Sequence, residues 1–175
     1  IFENGTGTSP LQDGLYAVDN GSLNNGNAYS YGATSSADRA LGLLQSGSVN
    51  PSIGVAFTNN TGGIINSLTI SYRGEMWRIG VTNRGGADRI DFQYSTDASS
   101  LSTGTWTDVN SLDYSSSIIS GTTGALDGNA TGNFTNVSSS ITGLNIPNGA
   151  TFYLRWTDFN IASNDDGLGV DDFSL

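Results

Sequence analysis

The chain has 175 residues with no cysteine and no histidine, and its six basic residues stand against 16 acidic ones for a formal net charge of −10. Without these two residue types the chain lacks disulfides, the usual base for serine and cysteine catalysis, and the usual zinc ligands. The negative charge argues against nucleic acid or an anionic membrane surface as a partner, and no apolar run is long enough for membrane insertion. We therefore expect a non-catalytic protein.

Short segments of alternating apolar and polar residues, separated by clusters of Gly, Asn, Ser and Pro, recur along the whole chain. Helical spacing of apolar residues is never sustained. This pattern predicts one all-β domain over residues 1–175. In chain order, strands are predicted near residues 15–18, 28–32, 38–45, 53–58, 64–72, 75–82, 89–95, 105–109, 137–142, 151–158 and 167–175.

The clearest of these strands alternate a core-facing set with a solvent-facing set, as in antiparallel sheets with one wet face. The core-facing residues are predicted to be Leu68, Ile70, Tyr72, Ile90, Phe92, Tyr94, Phe152, Leu154 and Trp156.

The longest predicted loop, around residues 120–136, is too long for a simple hairpin. It is interpreted either as a binding loop or as a mobile flap.

The last predicted strand contains two adjacent acids in "GVDDFSL". Alternation puts Asp171 on the side of Phe173 and Asp172 on the side of Val170, so one carboxylate is expected to face the interior, where an unpaired charge is unfavourable. A bound cation would neutralise it, and a chain with only oxygen ligands favours calcium. Glu3 joins the same ion if the two termini lie side by side. We therefore predict a structural calcium held by Glu3, Asp171 and Asp172.

Three further acids lie close to this segment. Asp165 and Asp166 in "SNDDG" are interpreted as turn residues in preference to metal ligands. Asp158 is expected to pair with Arg155 or to cap the turn.

Four of the six arginines lie between residues 73 and 89. Such a cluster would bind carboxylated or sulfated sugars through bidentate contacts. The alternative is that neighbouring acids neutralise it. The predicted ligand-binding arginines are Arg73, Arg78, Arg84 and Arg89.

Aromatic rings that stack on sugars need to be exposed. Each tryptophan lies among apolar neighbours, so Trp77, Trp106 and Trp156 are interpreted as core residues. The exposed candidates are Tyr94, Tyr114 and Tyr153.

Two sets of motifs carry a resemblance to known families. "ENG" and "GLGVDDFSL" resemble the ends of bacterial extracellular jelly-roll modules of the carbohydrate-binding type, whose first and last strands share a structural calcium. "YSYGATSSADRALG", "GEMWRIG", "FQYSTDASSLSTGTW" and "FYLRWTDFNIASNDDGLGVDDFSL" resemble an accessory domain of secreted or surface-anchored bacterial proteins, including extracellular nucleases. The resemblance implies an all-β jelly-roll β-sandwich of two antiparallel sheets, secreted or at the cell surface.

The expected function is that of a carbohydrate-binding module that holds a linked, secreted catalytic domain on a polysaccharide, with acidic, marine or algal glycans among the candidates. One alternative is a calcium-stabilised structural or adhesion module without a sugar site. Another is a hydrolase with paired carboxylates that include Asp158 or Asp166.

Overall fold

The computed structural model describes residues 1–5 and 12–175. A short 3-10 turn, Asn110–Leu112, is the helical element of this part of the chain. No helix in it is long and apolar enough to cross a membrane. In chain order the strands are β1 (Phe2–Gly5), β2 (Tyr16–Asp19), β3 (Asn27–Tyr31), β4 (Ala40–Leu44), β5 (Val49–Thr58), β6 (Ile65–Ile79), β7 (Arg89–Ser95), β8 (Thr107–Asp108), β9 (Tyr114–Ser115), β10 (Gly124–Ala125), β11 (Phe134–Ile146), β12 (Thr151–Phe159) and β13 (Gly167–Ser174).

In the part of the chain that the structure describes, these strands form two sheets. Sheet A has the order β1-β5-β12-β7-β8, with β9 also paired to β7. Sheet B has the order β10-β6-β13-β4-β3-β2, with β11 also paired to β6. The strand pairs are antiparallel except β2 with β3, which is parallel. The predicted β-sandwich is therefore confirmed, with one parallel pair added at its edge.

The strand order is that of a jelly roll. In sheet A the late strand β12 lies between β5 and β7, and in sheet B the late strand β13 lies between β4 and β6. Inserting the end of the chain between earlier strands in both sheets produces the nested Greek keys of this fold. As a consequence, β13 lies in sheet B and β1 pairs with β5 in sheet A, so the expectation that the first and last strands lie side by side is wrong.

The main core lies between the sheets, where the inward side chains of both sheets pack together. The alternation of apolar and polar residues along the strands predicted most of this core from the sequence. The residues confirmed as buried are Leu68, Ile70, Tyr72, Ile90, Phe92, Phe152, Leu154 and Trp156.

One predicted boundary is wrong. The sequence suggested two strands, 64–72 and 75–82, because charged residues interrupt the apolar pattern between them. The structure has one long strand, β6, that runs through Arg73, Gly74 and Glu75. Pairing to β11 on one side and β13 on the other keeps this segment extended.

A second cluster of buried apolar residues lies on the outer face of sheet B. Ala28 and Leu43 face the main core, so Tyr29 and Tyr31 of β3 point to the opposite side of the sheet. Their rings stack with 5.0 Å between centroids, and the Tyr31 ring stacks in turn on Trp77 at 6.1 Å. The prediction that Trp77 is a core residue is confirmed, but its core is this outer cluster.

The long segment around residues 120–136 helps to cover this aromatic row. Its strand β10 pairs with the end of β6, and Leu126 N–H donates to the Trp77 carbonyl at 2.7 Å. An added Cβ on Gly128 would lie 2.4 Å from the Trp77 ring, so the backbone passes directly over the indole. The segment is packed on sheet B, which argues against the mobile-flap interpretation, and the binding-loop interpretation stays a prediction.

Candidate functional site

The arginines between residues 73 and 89 do not form one exposed basic patch. Arg73 Nε lies 3.2 Å from Glu75 Oε1, and its guanidinium lies 3.7 Å from the centroid of the Phe134 ring. Arg78 is buried and donates from Nη1 to the Gly21 carbonyl at 3.0 Å. Both side chains therefore stabilise sheet B and the segments packed on it.

The other two arginines of this group are also engaged within the chain. Arg84 Nη2 lies 3.0 Å from Asp166 Oδ1. Arg89 forms an ion pair with Asp91, and its guanidinium lies 4.3 Å from the centroid of the Phe159 ring. Arg73, Arg84 and Arg89 are therefore neutralised by neighbouring acids, and Arg78 is held by neutral oxygen acceptors, so the four arginines do not form an open anion-binding patch.

The three candidate tyrosines have different environments. Tyr114 is 1 % exposed and its hydroxyl lies 3.0 Å from Ser117 Oγ, so the expectation that it is exposed is wrong. Tyr94 packs against the main core. Tyr153 lies on the outer face of sheet A and its hydroxyl donates to the Ser99 carbonyl at 2.9 Å. Of the three, Tyr153 is the one whose ring lies on an outer sheet face.

The residues predicted to bind calcium are not brought together. Glu3 is buried in β1, and its carboxylate accepts hydrogen bonds from Gly14 N at 3.0 Å and Ala28 N at 3.2 Å. These donors compensate its burial and tie β1 of sheet A to β3 of sheet B.

Strict alternation in the last strand would place one carboxylate in the interior, which was the reason to expect an ion there. A β-bulge avoids this. The register of β13 shifts after Asp171, and Asp172 has φ = +49°. As a result Phe173 still packs against the main core, with its ring 5.7 Å from that of Trp156, while Asp172 is exposed and Asp171 lies opposite Arg73. Simple alternation failed here because it assumes an unbroken strand.

The outer face of sheet A centres on Arg155 and Trp106. Arg155 points outward because its neighbours in β12, Leu154 and Trp156, point into the core. Its guanidinium lies 3.8 Å from the centroid of the Trp106 ring, and its Nε donates to Gln93 Oε1 at 2.7 Å. Trp106 is partly exposed, so its assignment to the core is wrong.

A shallow depression of about 140 Å³ lies beside Arg155 on this face. Strand register brings its polar residues together, because Ser52 of β5 pairs with both Phe2 of β1 and Thr157 of β12. Asn50 Oδ1 is buried and has no hydrogen-bond partner among residues 1–5 and 12–175. The lining residues are Phe2, Asn4, Asn50, Ser52, Arg155 and Thr157.

Buried acids form a second notable group at one end of the sandwich. Asp88 precedes β7, Asp158 is near the end of β12, and Asp165 precedes β13. One carboxylate oxygen from each lies within 4.8 Å of the others, although the three residues are only 0 %, 4 % and 3 % exposed. We call these three residues the acidic cluster.

Backbone amides supply part of the hydrogen bonding of the acidic cluster. Asp88 accepts from Asp166 N at 2.6 Å, Asp158 Oδ2 accepts from Gln45 N at 2.9 Å, and Asp165 accepts from Ile161 N at 3.1 Å. Asp158 Oδ1 has no partner among the described residues. The expected pairing of Asp158 with Arg155 is wrong, because the two side chains lie on opposite faces of sheet A.

The electrostatics of the acidic cluster are unfavourable for three negative charges. Burial raises the pKa of Asp88 to about 7, against the lowering effect of its amide donors. Burial also raises the pKa of Asp158 well above its ordinary value, and the charges of Asp88 and Asp165 add to the shift. Burial likewise raises the pKa of Asp165. The donors present do not fully compensate the loss of water.

Neither the acidic cluster nor the Trp106–Arg155 stack was predicted from the sequence. One signal for the cluster was available, since antiparallel pairing of the predicted strands 89–95 and 151–158 places the start of one beside the end of the other. Both of these positions carry an aspartate, Asp88 and Asp158.

The chain has a distant structural likeness to a solved protein. No family model matches the sequence, and no curated protein matches it. Among solved structures, TmCBM61 in complex with β-1,4-galactotriose is similar over 77 % of this chain and 68 % of its own, with 11 % identity and a TM-score of 0.40. A likeness this distant is not evidence for a shared ligand, and the fold assignment depends on the strand order described above.

Proposed function

We propose that this protein is a non-catalytic carbohydrate-binding module that binds a polysaccharide on the outer face of sheet A. The observation that carries the proposal is the shallow depression beside the Trp106–Arg155 stack, which combines aromatic and polar groups on an open sheet surface.

The groups on this face match what a sugar chain offers. A pyranose presents an apolar C–H face and a rim of hydroxyls, so its site needs ring surfaces next to fixed donors and acceptors. Phe2 and Trp106 supply ring surface on either side of Arg155. Asn4, which is exposed, and Thr157, which is partly exposed, supply an amide and a hydroxyl in the same depression.

Arg155 is held in one position before any ligand arrives. Its contacts with Trp106, Gln93 and the Leu101 carbonyl fix the plane of the guanidinium. A fixed guanidinium can donate to hydroxyl pairs or to a carboxylate, which makes acidic polysaccharides part of the proposed ligand class. The module would then keep a linked, secreted enzyme on its substrate.

The hydrolase alternative is less well supported. Asp158 and Asp166 are both almost fully buried, and a glycosidic oxygen has to reach the carboxyl groups that cleave it.

Affinity gel electrophoresis against a panel of neutral and acidic polysaccharides tests the proposal. The wild type is expected to be retarded by at least one of them, and Trp106→Ala is expected to abolish the retardation because it removes ring surface and frees Arg155. Phe134→Ala is the matched control, since Phe134 forms a similar stack with Arg73 on sheet B.

Each outcome bears on the proposal. Loss of binding in Trp106→Ala together with normal binding in Phe134→Ala supports it. The reverse pattern places the sugar site on sheet B near the arginines that the sequence suggested. No retardation by any polysaccharide favours a structural or adhesion module.

A further inference from the structure

We propose that Asp88, Asp158 and Asp165 bind a calcium ion, with the side-chain oxygen of Gln45 as a further ligand. This site differs from the one predicted at Glu3, Asp171 and Asp172, and it does not depend on the sugar site.

The spacing of the acidic cluster fits a single ion. Oxygens that share one calcium each lie about 2.3–2.6 Å from it, so two of them are at most about 5 Å apart. The carboxylate oxygens of Asp88, Asp158 and Asp165 lie within 4.8 Å of one another. Three oxygens can therefore reach one ion without rearrangement of the strands.

The charge balance around the cluster calls for a cation. The nearby guanidinium of Arg84 is bonded to Asp166 Oδ1, a fourth buried carboxylate, and is not one of the partners of the three cluster residues. Buried carboxylates with incomplete hydrogen bonding lower the stability of the fold. A divalent ion compensates for the lost water more completely than amide donors do.

Gln45 provides an independent observation. It follows β4 of sheet B, and its backbone N–H donates to Asp158 Oδ2, so the residue lies at the cluster. Gln45 is only 8 % exposed, and its side-chain oxygen Oε1 is buried. This oxygen has no hydrogen-bond partner among the described residues. A neutral amide oxygen that accepts no proton is a normal ligand for calcium.

The cluster also has a route for ion entry. Gln45 and Asp165 line the same cavity of about 380 Å³, which is bordered by the loop from Asn160 to Asp165. Water in such a cavity can complete the coordination shell of an ion, since calcium commonly keeps water among its six to eight ligands.

The ligand chemistry selects the kind of ion. The four proposed ligands offer oxygen alone, which excludes the softer metals that use His or Cys. Calcium accepts irregular sets of oxygen ligands, whereas magnesium demands near-octahedral geometry and gives up its water reluctantly. An ion here would join β7 and β12 of sheet A to β4 and β13 of sheet B.

The test uses the full chain, stripped of metal with EDTA and dialysed. Calcium chloride at about 100-fold above its Kd is expected to raise Tm by roughly 5–10 °C. Magnesium chloride at the same concentration should have a much smaller effect. Isothermal titration calorimetry gives the affinity and stoichiometry directly.

Asp158→Asn distinguishes a metal site from a structural role. The variant should lose the calcium response, while its metal-free form should melt at or above the metal-free wild type because one buried charge has been removed. Gln45→Met, which keeps the chain length and removes the oxygen, should weaken calcium binding roughly 10-fold or more. It keeps the proposal testable if Asp158→Asn does not fold.

Asp171→Asn is the matched control and should respond to calcium like the wild type. If calcium does not shift Tm of the wild type, or if Asp158→Asn and Gln45→Met still respond fully, the proposal is wrong. A response lost in Asp171→Asn alone would place the ion at the end of β13. None of these outcomes depends on whether the protein binds a polysaccharide.

Discussion

The outer faces of the two sheets differ in how their aromatic residues are used. On sheet B the row of Tyr29, Tyr31 and Trp77 is almost completely buried. On sheet A the rings of Trp106 and Tyr153 remain partly exposed among polar side chains. The row of three rings on sheet B is therefore covered and Phe134 near it stays partly exposed, whereas both rings on sheet A are accessible.

The segment after β2 that covers the outer face of sheet B is held by specific contacts. Asp19 accepts hydrogen bonds from Gly21 N at 2.8 Å and Leu23 N at 3.2 Å, which folds the segment after β2 back over the sheet. Arg78 then binds the carbonyls of Gly21 and Ser22 from below. An outer sheet face normally meets water, so this cover turns it into a second small core.

The comparison teaches that counting aromatic residues does not locate a sugar site. What matters is whether a segment of the chain lies over them.

The largest expected effect is that of Trp77→Ala on the covered face. It removes a ring that packs on Tyr31 and a hydrogen bond from Nε1 to Glu75 at 2.9 Å, so the free energy of unfolding should fall by about 3–5 kcal/mol. Trp106→Ala on the open face should lower it by about 1 kcal/mol or less, because that ring is already partly in water. Urea denaturation measures both, and equal losses would show that the two faces do not differ in this way.

A smaller effect is expected for Gly128→Ala, where the new methyl group would meet the Trp77 ring. Overpacking of this kind should lower the free energy of unfolding by about 1–3 kcal/mol. In a Trp77→Ala background the same change should have little effect, because the obstructing ring is gone. The measurement is a double-mutant cycle by urea denaturation.

Gly86→Ala is the control for this cycle, since an added Cβ there has no neighbour within 4 Å. A loss for Gly128→Ala that persists without Trp77 would mean that the glycine is needed for its backbone and not for close approach to the indole.

The fold could be predicted from the sequence further than the sites could. Alternation is a local property, and it placed Leu68, Ile70, Phe152 and Leu154 in the core. It failed where the strand is irregular, as at Asp172, or where long-range pairing outweighs local polarity, as at Glu75 within β6.

The residues of each candidate site are far apart in the sequence, so local sequence patterns could not reveal them as a group. Asp88, Asp158 and Asp165 meet because β7 pairs with β12 and the next loop returns to the same end of the sandwich. Arg155 meets Trp106 through a contact between a strand and a loop that is far away in the sequence. Composition limited the candidate metal ligands to oxygen atoms, but only the topology shows which of these oxygens lie together.

The smallest expected effect on stability, and the most selective, is that of Arg155→Lys on the open face. Lysine keeps the charge and loses the planar contact with Trp106 and the Nε bond to Gln93, so the free energy of unfolding should fall by about 1 kcal/mol or less. Retardation by the bound polysaccharide should nevertheless weaken clearly, because the fixed guanidinium plane is lost.

The same substitution at Arg78 is the counterpart on the covered face. Its guanidinium donates to Gly21, Ser22 and Asn24, so Arg78→Lys should lower the free energy of unfolding more than Arg155→Lys does and leave retardation unchanged. Affinity gels and urea denaturation of the two variants separate binding from stability. If both variants lose stability equally and neither loses binding, the guanidinium on sheet A serves the fold alone, and the sugar site has to be sought on another surface.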